Sequence, residues 1–164
     1  MPQESAYTSL NQIPAGFKTF KLRGRNLDWG GGKFDKATQY LKKDRVYNFV
    51  YDEYNRSLDE NVYSWVRCKN ERTNSVTVFN VLNVIQDKKE REQLLKRISL
   101  FCKEQREKFN HDPVVIFQVY EGNRSGQPSE DTVQNNMKVN EYIPEIQAVF
   151  PDWEVQRQGN YIIV

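Results

Sequence analysis

Residues 87–109, "DKKEREQLLKRISLFCKEQREKF", place Leu94, Leu95, Ile98, Phe101, Cys102 and Phe109 on one stripe at helical spacing. Charged residues fill the remaining faces, so the stripe needs an apolar surface to lie against. Asp87 with Glu90 three residues on resembles a capping box at the start, and Asn110 followed by Pro113 ends the segment. The chain then runs into "PVVIFQVY" (113–120), a nearly continuous apolar stretch that predicts a central strand buried on both faces. A long one-sided helix leading into a two-sided strand points to a layered helix-and-sheet fold.

The other elements are placed around that pair. "RVYNFVY" (45–51), "NVYSWVRCK" (61–69) and "NSVTVFNVLNV" (74–84) are rich in β-branched and aromatic residues and read as strands. Sequential antiparallel pairing is their simplest topology. Residues 17–24 alternate enough for a short strand, the glycine stretch after them is a loop, and Phe34, Ala37, Tyr40 and Leu41 predict a short helix over 34–43. Ser129 is placed to cap a second helix with Val133 and Met137 inward, which Pro144 should break or restart before Ile146, Val149 and Phe150. "DWEVQRQGNYIIV" closes as a hairpin turning at Gln158, Gly159 and Asn160. The expected fold is α+β: residues 1–16 form a loose arm, and 17–164 form one domain. In it an antiparallel sheet, about three meander strands plus the buried strand, packs on the long helix, with a second helix and the C-terminal hairpin.

Composition narrows the class. Aromatics at 13% are too many for a disordered chain, and 28% charged residues imply a well-solvated surface. The start, Met-Pro-Gln-Glu-Ser-Ala, lacks a signal pattern, and no stretch reaches 18 apolar residues, so the expectation is a cytoplasmic protein without membrane contact. Cys68 and Cys102 lack metal or redox spacing and read as reduced thiols. Net charge is +2, unevenly spread: residues 1–45 hold nine Lys/Arg against four Asp/Glu, and residues 111–164 hold three against eight. Either the N-terminal part carries a basic binding surface, or the acidic part packs beside it and neutralises it.

"NLDWGGGKF" (26–34) is the most unusual short stretch. A Walker A loop would need a glycine at 27 and a hydroxyl after Lys33, where Leu27 and Phe34 stand, and the three glycines do not make GxGxxG. What remains is exposed backbone N–H flanked by Arg23, Arg25 and Lys33, suited to a general phosphate contact. The same residues also serve as a plain hinge between strand and helix.

If 61–69 is a strand, Tyr63, Trp65, Arg67 and Lys69 share one face, and Tyr47, Phe49 and Tyr51 share one face of 45–51. A sheet face of aromatic and basic groups is how RNA-recognition sheets stack unpaired bases. The same aromatics would equally suit a core beneath the 87–109 helix. Bases on that helix are interleaved with Glu90, Glu92, Glu104 and Glu107, which supply partners at close range. With one histidine, His111, two-histidine metal and nuclease sites are excluded, while Asp52, Glu53, Asp59 and Glu60 could gather a magnesium ion. The leading expectation is therefore a non-enzymatic module contacting RNA or single-stranded DNA through Arg23, Arg25, Lys33, Tyr47, Tyr63, Trp65 and Arg67, with no cofactor and no metal. The alternative is a protein-interaction module, such as an adaptor, an inhibitor or a phage or mobile-element factor, using the same aromatics as anchors. A divalent-metal nuclease is third.

Overall fold

The computed structural model describes residues 12–122 and 135–164. In chain order it runs α1 (Gly16–Thr19), β1 (Arg25–Trp29), α2 (Lys36–Lys42), β2 (Tyr47–Tyr51), α3 (Leu58–Asn70), β3 (Ser75–Phe79), a 3-10 turn (Leu82–Val84), α4 (Lys88–Phe109), β4 (Val114–Gln118), α5 (Val139–Val149), β5 (Gln156–Gln158) and β6 (Tyr161–Ile163). The six strands form one mixed sheet in the order β2-β1-β3-β4-β6-β5. Pairs β1–β2, β1–β3 and β3–β4 are parallel, and only β4–β6 and β6–β5 are antiparallel. The expected meander is thus replaced by parallel strands joined through helices, as parallel pairing demands a crossover.

Two corrections account for the change. The first is that 61–69 lies in a helix. Ser57 caps α3 by accepting from the Glu60 N–H, and its hydroxyl donates to the Glu60 carboxylate. "SLDE" is the Ser-x-x-Glu signature of a helix start, and it outweighs the β-branched content downstream. Asn61, Ser64 and Cys68 face inward at helical spacing, whereas Val62, Tyr63 and Val66 are exposed.

The second is that residues 17–24 are not a strand. Gly16–Thr19 form α1, and the strand is Arg25–Trp29, directly before the glycines. "RNLDW" has little strand propensity, yet it lies between β2 and β3. Its Leu27 and Trp29 face one core, and Asn26 and Asp28 face the other side. Those two polar side chains are satisfied by neighbouring strands. Asn26 Nδ2 donates to Asn48 Oδ1 (2.8 Å) and Thr77 Oγ1 (2.9 Å), and Asn26 Oδ1 accepts from Ser75 Oγ (2.7 Å).

The sheet separates two cores. On one face α3, α4 and α5 cover Leu27, Val76, Val78, Val115, Phe117 and Ile162, and Leu95, Ile98 and Phe101 of α4 are fully buried there. On the other, α1 and α2 bring Phe17, Ala37 and Leu41 against Val46, Phe79 and Ile116. The expected helices over 34–43 and 87–109 form with similar bounds. Asp87 caps α4 through the Lys89 N–H, and Asn110 ends it in the left-handed region. The buried strand in 113–120 and the closing hairpin also form.

Pro144 does not break α5. It removes one backbone bond, to the exposed Asn140, and the helix continues to Val149. Within the expected arm, the half-buried Ile13 packs against the α1–α2 core. Residues 1–11, and the proposed cap at Ser129 with Val133, lie outside the described residues. No described helix is long and apolar enough to cross a membrane.

Truncating Phe101 to Ala should lower stability by about 3–5 kcal/mol, and Ser57→Ala by about 1 kcal/mol through loss of the α3 cap. Chemical denaturation measures both. An unchanged midpoint for Ser57→Ala would return 58–70 to a segment held by packing alone.

Candidate functional site

The chain order reverses at β1: β2 lies on one side of it and β3 on the other. In open sheets with parallel strands, the carboxyl ends of the strands at such a reversal frame a ligand crevice. A cavity of about 690 Å³ opens there. Gly30 to Gly32 after β1, Asp52 to Tyr54 after β2, Val81 and Ile85 after β3, and Leu94 and Arg97 of α4 form its walls.

Backbone conformation or close packing requires glycine at each of the three positions. Gly30 (φ +73°) and Gly32 (φ +81°) have left-handed backbones. A Cβ on Gly31 would stand 2.4 Å from Asp28 Oδ2 and 2.9 Å from Val50 Cγ1.

The loop's amides are also largely spoken for. The Gly30 N–H donates to the Tyr51 carbonyl (2.7 Å) and the Gly32 N–H to Asp52 Oδ2 (2.9 Å). Arg56 holds the loop from behind, donating to the carbonyls of Gly32 (2.7 Å) and Phe34 (3.1 Å) and pairing with Asp35 and Glu60.

Two carboxylates lie against this loop. Asp52 is buried and accepts four hydrogen bonds, from the backbone of Gly32, Tyr54 and Asn55 and from Asn55 Nδ2. That fills its lone pairs and makes it the latch between the glycine loop and the end of β2. Asp28 lies beneath Gly31 and accepts from Thr77 Oγ1 (3.0 Å) and, more weakly, from Asn48 Nδ2 (3.4 Å). Burial pushes its carboxyl up to about 6, with the Asp52 charge adding to the rise and the Thr77 and Asn48 hydrogen bonds opposing it.

The outer wall carries a third carboxylate, Glu53, in a cluster with Tyr51 and Arg97. Glu53 Oε1 accepts from Tyr51 Oη (2.6 Å) and Arg97 Nη1 (2.5 Å), and Arg97 lies over the rings of Trp29 and Tyr51. Burial disfavours the Glu53 anion, but these two partners outweigh it and hold its carboxyl below the usual range. Val81, Val84, Ile85 and Leu94 add an apolar stretch to the walls. An apolar wall together with fixed carboxylates suits a ligand with a flat apolar part and a polar, cationic part.

The residues expected to bind nucleic acid fall in three places. Lys33 is exposed at the crevice mouth, over the Phe34 ring. Arg25 and Arg23 are at the start of β1, roughly 16 Å away along a strand of five residues. Arg25 pairs with Glu71 there, and with Arg67 it lies over Phe49. Tyr63 packs beside Phe49 and Arg67, and Tyr47 shares the Phe49 face of β2. Trp65 is separated from them, packed between α3 and α4 against Trp29, Tyr51 and Phe101.

Of the four acids considered for magnesium, Asp52 is saturated, Glu53 engages Arg97, and Glu60 bonds the Ser57 cap and pairs with Arg56, while Asp59 is exposed on the first turn of α3; among the described residues they form no metal-holding group. His111 meets Arg72 at the far end of the sheet from the crevice, and Asp112 pairs with Arg106. Cys68 and Cys102 are free and buried, and burial pushes both thiols up to about 12. Asp28, Val81, Leu94 and Arg97 carry the site without having been singled out. The signal for Asp28 was available as an acid two residues before three glycines, with a further acidic pair about 20 residues on.

Searches against family models, curated proteins and solved structures find no match to this chain.

The raised Asp28 carboxyl makes a stability prediction with a definite sign. Between about pH 4 and pH 6 the folded state binds more protons than the unfolded state, so stability falls as pH rises through that window and stays lower above it. The loss is on the order of 3 kcal/mol. Asp28→Asn lacks it, so the stability of the variant relative to the parent should rise between pH 4 and pH 7. Parallel stability curves from denaturant titrations would show that Asp28 titrates normally.

Proposed function

We propose that the crevice binds a nucleoside cofactor bearing positive charge in place of phosphate, S-adenosylmethionine by its chemistry, and that the chain is a methyltransferase. The observation that carries this is the state of the glycine loop. Two of its amides are used within the fold, and Asp28 lies directly under it. A pyrophosphate at this position would meet the Asp28 and Asp52 carboxylates with few donors to hold it. Common nucleoside cofactors such as the nicotinamide and flavin dinucleotides and ATP carry phosphates. S-adenosylmethionine instead carries a sulfonium and an ammonium, which the acidic floor favours.

The walls fit the rest of that molecule. Val81, Ile85 and Leu94 would hold the adenine, and Glu53, whose Oε2 carries no hydrogen bond among the described residues, would take the ribose hydroxyls. Asp28 and the backbone of Gly31 then face the amino-acid tail. When bound, S-adenosylmethionine would supply an electrophilic methyl group to an acceptor lone pair, with sulfur keeping the electron pair of the bond to the methyl carbon. The protein's part is orientation and water exclusion.

A protein-docking reading is favoured by one separate observation. Leu58, Val62 and Val66 lie exposed at i, i+4 and i+8 along α3. If that stripe joins two copies of the chain, sedimentation should show self-association that Val62→Lys abolishes.

Calorimetric titration decides the main reading. S-adenosylmethionine should bind saturably and more tightly than NAD or ATP, and its affinity should fall as pH drops below about 6 and Asp28 takes up its proton. Asp28→Asn, with its fold checked by melting, should weaken binding by about 1.5–3 kcal/mol, the range of a charged hydrogen bond. Preferential binding of a phosphate-bearing nucleotide would overturn the assignment.

A further inference from the structure

The helical layer opposite α3, α4 and α5 is strongly basic. Lys33, Lys36, Lys42, Lys43 and Arg45 are exposed along the loop and helix that follow β1, and Lys18, Lys21 and Arg23 are exposed along the segment that precedes it. Among the described residues none of these eight takes part in an ion pair. The acids of this layer are few: Asp28 is buried, Asp35 is taken by Arg56, and Asp44 is exposed.

Among the described residues, no acid of the C-terminal part pairs with this layer. Asp112 pairs with Arg106 and Glu145 with Arg91, both on α4, and Glu121 with Arg157, away from this layer.

We infer that this basic face binds the phosphate backbone of a nucleic acid and leads it into the crevice, making nucleic acid the methyl acceptor. The identification of the acceptor rests on the cofactor reading, whereas the binding itself does not. Its geometry is continuous with the site, because Lys33, Phe34 and Lys36 form the crevice mouth while Lys42, Lys43 and Arg45 lie at the far end of α2. The seven residues of α2 span about 10 Å, and with the flanking loops the basic track is long enough for several phosphates.

Phe34 is the only large apolar residue exposed between residues 12 and 45, and it stands at the mouth, where a base leaving the backbone can stack on it. A membrane surface fits this face less well, because stable adsorption uses several inserted apolar side chains. An acidic protein partner would also look for more aromatic anchors than one ring.

The test uses the full chain, a fluorescent 20-nucleotide single-stranded RNA, the same sequence as DNA and as duplex DNA, and anionic phosphatidylserine vesicles. Anisotropy should show nucleic-acid binding that weakens roughly a hundredfold between 50 and 200 mM salt. Lys36→Gln/Lys42→Gln/Lys43→Gln should weaken it and reduce the salt slope by about two to three phosphate contacts. Lys96→Gln/Lys103→Gln/Lys108→Gln on the opposite face should leave it unchanged. S-adenosylmethionine titrations on both triple variants separate the two proposals. Intact cofactor binding without nucleic-acid binding overturns this inference alone, and nucleic-acid binding without cofactor binding overturns the methyl acceptor and keeps the basic track. Equal effects of the two triple variants, or tighter binding to vesicles than to any oligonucleotide, overturn the basic track itself.

Discussion

One asparagine side chain connects the three strands around which the site is built. Asn26, at the second position of β1, donates to Asn48 of β2 and Thr77 of β3 and accepts from Ser75. The backbone register places Asn26 opposite Asn48 on one side and opposite Ser75 on the other. A shift of one residue in either pairing would leave these buried groups without partners, so the network fixes register where an all-apolar strand would tolerate slippage. The same set of residues continues to Asp28 through Thr77 and Asn48. The position of the site carboxylate is thus set by the interaction that sets the sheet.

That continuity holds Asp28 in place in spite of its effect on stability. A carboxylate raised to about 6 is disfavoured by the fold at neutral pH, and two imperfect hydrogen bonds do not offset its burial. Groups of this kind concentrate where a ligand supplies the missing interaction. The glycine loop fits the same account. Gly31 has no room for a side chain because Asp28 lies beneath it, and Asp52 and Arg56 hold the loop from both sides. The loop is a rigid cover over an acidic floor, a different object from a cradle of free amides.

The parts of this architecture legible in the sequence were those with a clean period. The α4 stripe, the β4 run and the α2 helix each bury an apolar set that pattern alone locates, and the last hairpin is marked by its turn at Gly159. The misread parts carry their information elsewhere. In α3 the β-branched and aromatic residues are largely surface or edge residues, and the decisive signal is the Ser57–Glu60 cap. In β1 the side chains that would mark a strand are replaced by Asn26 and Asp28, whose partners lie 20 to 51 residues away. No local window contains those partners. Once 61–69 is read as a helix, the antiparallel meander no longer follows, since a helix between two strands permits parallel pairing.

The expected aromatic and basic face was dispersed for the same reason: alternate residues of a strand share a face, but alternate residues of a helix do not. Tyr63 and Arg67, four apart, remain neighbours on α3, while Trp65 turns into the core. The charge asymmetry of the sequence survives in three dimensions because it belongs to whole segments. The bases of residues 18–45 other than Arg25 lie along one helical layer, and Asp112, Glu145 and Glu121 meet arginines of α4 and Arg157 on the hairpin. The crevice opens at the edge of this basic layer, with Lys33 and Lys36 at its mouth and Glu53, Glu90 and Arg97 on the α4 side. A field of that form draws a polyanion to the outer face while the floor of the crevice repels it, so phosphates stay outside and only an uncharged part of the chain can enter. Excluding phosphate from the floor and attracting it at the rim are compatible because Asp28 and Asp52 are buried beneath the loop while Lys33 and Lys36 are exposed at the mouth.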